Sequence, residues 1–129
     1  MNSLVDLEKK INSELTTKIN ESKIIHNQLY LIIDKEDLNE VTLFLKTNKD
    51  TKFRQLIDIT AVDYPENSKR FKMVYLFLSH EFNQRILISY LINENEVISS
   101  LTKIFPSANW MEREVFDMYG VKFKDHPDL

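Results

Sequence analysis

Cysteine is absent from all 129 residues. That excludes disulfides, iron–sulfur ligation and thiol nucleophiles, and it leaves the redox compartment unread. Glycine occurs once, at Gly120, and a single glycine cannot build the Gly-rich cradle whose amides close on a phosphate. Histidine is scarce: His26, His80 and His126 lie far apart and form no pair at ligand spacing, so neither a metal nor a cofactor is expected. No long apolar run exists either. Leu29-Tyr30-Leu31-Ile32-Ile33 falls far short of the roughly 20 residues that span a bilayer. The opening Met1–Asp6 has neither the basic start and apolar stretch of a secretory signal nor the Arg-rich pattern of a transit peptide. A cytosol-facing protein without direct membrane insertion is the expectation. A formal charge of −3 argues against a generic nucleic-acid binder, which needs a basic surface to neutralise phosphates.

What is present is the composition of a globular chain. Hydrophobic residues make up 43% and charged residues 29%, enough apolar surface for one core and one domain over residues 1–129. Leu4, Leu7, Ile11, Leu15 and Ile19 recur at helical steps, with Ser3 placed to cap and Asp6 to complete a capping box. Ile24-Ile25 and Leu29–Ile33 flank the polar Asn27-Gln28, which reads as a tight hairpin or one bent strand. A second helix starts at Asp34 or Asp37 and buries Leu38, Val41, Phe44 and Leu45. Three strands follow, Leu56–Val62, Arg70–Ser79 and Arg85–Ile92, joined by short polar connections; they read as an antiparallel meander. In the first of these, Ile57, Ile59 and Ala61 share the inward face. The other two are apolar on both faces, as expected of strands covered on both sides. Ile98, Leu101, Ile104 and Phe105 mark a third helix stopped by Pro106. A last short helix runs from about Asn109 to Tyr119, with Gly120 placed to end it in a left-handed conformation. The expected fold class is α+β: a single two-layer domain, mainly an antiparallel β-meander sheet with helices packed on it.

That last helix carries the unusual chemistry. On a wheel of ~100° per residue, Trp110, Arg113, Glu114 and Asp117 gather on one side, and Met111, Val115, Met118 and Tyr119 on the other. Glu112 falls among the apolar residues. It either reaches solvent at the helix end, where a negative charge suits the macrodipole, or is paired when buried; spacing alone favours the first. Arg113 and Asp117, four apart, read as a surface ion pair. Paired acid–base catalysis is disfavoured, because Glu112 and Glu114 point about 160° apart on the wheel. Glu114 and Asp117 could converge, but Arg113 beside them would keep both ionised.

The same stretch, Trp110-Met111-Glu112-Arg113-Glu114-Val115-Phe116-Asp117-Met118-Tyr119-Gly120-Val121-Lys122-Phe123 and then His126-Pro127-Asp128-Leu129, resembles the signature of the respiratory complex I 30 kDa subunit family, the C-type subunits of NADH-quinone oxidoreductase. Phe53–Asp63 and Arg70–Tyr75 are similar to that family as well. The resemblance implies a non-catalytic subunit in the peripheral arm of proton-translocating NADH:quinone oxidoreductase. Such a protein has no catalytic residue, cofactor or metal of its own and sits beside the 49 kDa-type (D-type) subunit that helps form the quinone site. The resemblance also implies a location on the cytoplasmic side of a bacterial inner membrane, or the matrix side in an organelle. Glu112, Arg113, Glu114, Asp117, Tyr119, Gly120, His126, Pro127 and Asp128 would then be signature residues serving contacts between subunits. Family members continue past His-Pro-Asp-Leu with a basic, extended tail, which this sequence, ending at Leu129, does not include. Energy-converting hydrogenases and the photosynthetic relative of complex I use an equivalent subunit and form the alternative.

Overall fold

The computed structural model describes residues 3–129; Met1 and Asn2 of the opening segment lie outside them. Helix α1 (Leu4–Glu14) begins where the Ser3 hydroxyl accepts the Asp6 amide at 3.0 Å, and it buries Leu7 and Ile11 completely. The apolar stripe read as far as Ile19 is cut at Leu15, whose amide closes the last turn on Ile11 O. Strands β1 (Glu21–Ile25) and β2 (Gln28–Ile32) pair antiparallel. His26 and Asn27 between them both have positive φ, 51° and 62°, the geometry of a two-residue turn whose twist matches a hairpin. A tight hairpin is therefore formed, not a bent strand. A 3-10 turn (Lys35–Asp37) leads into α2 (Leu38–Thr47), which buries Leu38, Val41 and Leu45, with Phe44 half-buried.

The expected meander is present. Strands β3 (Gln55–Asp63), β4 (Phe71–Ser79) and β5 (Gln84–Ile92) pair antiparallel in sequence with no helix between them. The five-stranded order is β1-β2-β5-β4-β3, and the single parallel junction in this sheet joins β2 to β5. Phe71, Met73, Tyr75 and Phe77 of β4 and Ile86, Ile88, Tyr90 and Ile92 of β5 share one core with the apolar faces of the helices. The fold is two-layered α+β.

Three expectations are corrected. A register shift between Leu56 and Asp58 adds a residue to β3, so Leu56 faces inward while Ile57 is 36% exposed. Because side chains alternate with period two, one extra residue turns its neighbour outward. The second face of β4 and β5 is not covered by the helices: Val74, Leu76, Leu78 and Leu87 are half-buried and Leu91 is exposed. The third helix, at Ile98–Phe105, does not form. Instead β6 (Val97–Ser99) pairs in parallel with β7 (Lys122–Lys124), and an isolated turn follows, with the Ile104 and Phe105 amides on Leu101 O. Ile98, Leu101 and Phe105 are buried all the same, so the apolar spacing is real but serves a strand and a turn. Helix α3 (Ala108–Tyr119) follows, ended by Gly120 at φ 73° with its amide 2.8 Å from Phe116 O.

Candidate functional site

Helix α3 rests on the sheet through Met111 and Val115, and Glu112 lies between them in sequence with no exposed surface. Its carboxylate does not reach solvent, contrary to the reading favoured by spacing. One oxygen accepts the Ser100 hydroxyl at 2.7 Å and the other the Leu101 amide at 2.8 Å. The His126 imidazole, equally buried, stands 3.9 Å away. Its Nε2 is 2.8 Å from Asn109 O, and its Nδ1 is 3.0 Å from the Asp128 amide. A carbonyl only accepts and an amide N–H only donates, so these partners assign the proton to Nε2 and describe a neutral ring. Glu112 is therefore held by neutral donors. Burial pushes its pKa up, opposed by the Leu101 amide and then the Ser100 hydroxyl.

Beneath this carboxylate lies a second buried polar pair. The hydroxyls of Tyr75 on β4 and Tyr90 on β5 meet at 2.8 Å, with the rings stacked at 5.8 Å. Burial is the main cause that pushes both pKa values well up; the nearby Glu112 charge adds to it. The Glu112 bonds tie the stretch after β6 to α3, and the His126 bonds tie the turn after β7 to the same helix.

The remaining signature residues divide into two groups. Tyr119 packs its ring edge-on against Phe71 of β4 at 6.0 Å, and Gly120 supplies the left-handed end of the helix; both of these features lie within the chain. Arg113, Glu114, Asp117, Pro127 and Asp128 are exposed. Arg113 pairs with Asp128 at 3.7 Å, not with Asp117 as its spacing suggested. Trp110, Arg113, Glu114 and Asp117 do share one face, around a shallow depression of about 190 Å³. A second depression of about 270 Å³ lies between α3 and the middle of β3, bordered by Asp58, Thr60, Glu114 and Met118. Trp110 is 52% exposed and Met118 72%. Neither depression gathers two carboxylates onto a common point within a deep cleft, and no group of three or more potential metal ligands occurs among the described residues.

Sequence reasoning missed Ser100, Leu101 and Asn109 as partners of the Glu112–His126 network, and missed the tyrosine pair. The available signal was Glu112 itself, since a carboxylate on an apolar face requires donors. Those donors lie in a stretch that reads as helix, where the Leu101 amide would be used internally.

The model of the family described as respiratory-chain NADH dehydrogenase, 30 kDa subunit, matches residues 31–129. The chain belongs to that family. Among curated relatives in it, the C-type subunit of the NADH-quinone oxidoreductase of Dinoroseobacter shibae is 47% identical over 108 residues, 84% of this chain and 50% of the relative. Its counterpart in Rhodospirillum rubrum is 39% identical over 127 residues, 98% of this chain and 60% of the relative. The chain thus spans about half to three-fifths of the length of these 30 kDa-family relatives. A solved structure described as Nqo5 of the trypsin-resistant fragment (1–134) superposes with a TM-score of 0.77 at 24% identity, each chain covered in full. At that identity the likeness concerns the fold.

Proposed function

We propose that the chain is a non-catalytic scaffold in the peripheral arm of a proton-translocating NADH:quinone oxidoreductase. There it supports the 49 kDa-type subunit that shapes the quinone site, peripheral to the membrane on its cytoplasmic side. Electron transfer from NADH to quinone belongs to the whole complex. One observation carries this reading. The family signature helix is fastened from beneath by Glu112 and His126, while its outer face presents Trp110, Arg113, Glu114, Asp117 and Met118 around depressions too shallow to enclose a substrate. Enzyme pockets bury most of a small ligand, whereas a rigid helix with exposed large apolar residues suits a protein contact. The names of the relatives favour complex I over the equivalent protein of a hydrogenase or of the photosynthetic relative.

The test is complementation in cells lacking the corresponding gene. With the chain supplied, the peripheral arm should assemble on native gels and NADH:quinone activity should return. The purified chain alone should show no turnover. Full assembly and activity in cells without the chain would contradict the scaffold role.

A further inference from the structure

We infer that the groove between α3 and the edge of the main sheet is a docking surface for an extended, cationic segment of a partner protein. This rests on the scaffold role proposed above and names the chemistry of its contact. Three independent features of the surface meet there. Met118 and Trp110 are the two most exposed large apolar side chains of the described residues; Met118 borders the groove, and Trp110 borders the neighbouring depression on α3, which shares Glu114 with it. Large apolar groups left in water on a firmly held helix are the usual anchors of a protein contact. Strand β3 ends the sheet order, so among the described residues no strand lies beyond it, and the depression runs along its residues 58–61. An open strand edge beside a groove accommodates an extended chain.

Charge selects the occupant. Asp58, Glu114 and Asp117 border the two depressions, and none of them has an ion-pair partner among the described residues. Asp58 accepts its neighbour's amide, from Ile59 at 2.9 Å. The cation beside the groove, Arg113, is turned to Asp128. Several acids elsewhere are matched, among them Glu81 with Lys52 and Arg54 and Asp63 with Arg70. Unmatched carboxylates around exposed apolar anchors repel nucleic acid and anionic lipid headgroups alike. They suit a polypeptide whose Lys or Arg side chains meet them while its apolar side chains cover Met118 and Trp110.

The experiment uses the complex assembled around the full chain. A photo-crosslinking residue is placed at Met118, at Trp110 and, as a control on the open sheet face, at Leu87. Crosslinked peptides are identified by mass spectrometry. The expected result is that positions 118 and 110 capture one segment of another protein of the complex, with Lys or Arg within about five residues of the crosslink. In parallel, Glu114→Lys with Asp117→Lys should lower incorporation at least tenfold without changing the melting temperature of the isolated chain. Crosslinks to a partner from position 87 alone, or to a segment lacking basic residues, would overturn the inference while leaving the scaffold role standing. So would unchanged incorporation of the charge-reversed chain. Failure of the unsubstituted chain to enter any complex would overturn both.

Discussion

Replacing Glu112 with Ala tests whether this carboxylate is a structural lock. The substitution removes the acceptor of the Leu101 amide, and a buried N–H left unpaired costs about 1–3 kcal/mol. The Ser100 hydroxyl loses less, because Thr102 Oγ1 lies 2.9 Å away as a second partner. The void left by the missing carboxyethyl group adds to the cost, as in other large-to-small changes in a core. Relief of a desolvated carboxylate, whose pKa burial raises, offsets part of the loss. The net destabilisation expected is about 2–4 kcal/mol. For a chain of this size a kilocalorie shifts the melting temperature by about 4 °C, so the midpoint should fall by roughly 8–15 °C. Calorimetry is the assay, with hydrogen exchange at the Leu101 amide as the local readout. Glu114→Ala, on the exposed face of the same helix, should stay within about 0.5 kcal/mol of the parent. A Glu112→Ala midpoint within about 2 °C of the Glu114→Ala value would refute the reasoning, whatever happened to complex assembly.

Tyr75→Phe and Tyr90→Phe should each cost about 1–3 kcal/mol, since either leaves the other buried hydroxyl unpaired, and the double variant should cost less than their sum; additive losses would show that the 2.8 Å contact is not a working hydrogen bond. Gly120→Ala should cost about 1–2 kcal/mol in denaturant titration, all of it from the left-handed backbone, because an added Cβ would meet nothing within 4 Å; an unchanged midpoint would contradict this. The raised pKa of Glu112 means that the native state holds the proton more tightly than the unfolded chain. Its contribution is complete below about pH 4.5 and is lost as pH rises through the folded value. Wild-type stability measured relative to Glu112→Gln should therefore decline with pH above that point, and an advantage that grew with pH would show the shift to be downward.

The sequence disclosed those parts of the fold whose signals are local. Alternation in Arg70–Ser79 and Arg85–Ile92 located two meander strands, and Gly120 located the helix end, because period and left-handed geometry are properties of the segment itself. Ile98–Phe105 misleads because apolar residues at positions 98, 101 and 105 satisfy a helical stripe equally well. The outcome is decided by pairing with β7, more than twenty residues away, and by Glu112 taking the Leu101 amide. Ile57 misleads for a similar reason, since a bulge shows in the partner strand and not in the alternation. At the candidate site, the wheel places Trp110, Arg113, Glu114 and Asp117 on one face, and the structure does the same. It also places Glu112 among apolar residues. What it could not supply were the partners: the Arg113 contact with Asp128 and the His126 contact with Asn109 both depend on how the chain turns after Gly120. The assignment to a family came from the unlike residue types of the signature in their order, information that periodicity discards.

The scaffold role is tested most directly by measuring turnover per assembled complex in Asp117→Asn and Arg113→Ala variants, with assembly quantified on native gels from the same membranes. Scaffolding predicts that the isolated variants melt like the parent, that less complex assembles, and that each complex formed reduces quinone at the normal rate. Normal assembly with collapsed turnover would contradict it and assign these side chains to proton handling.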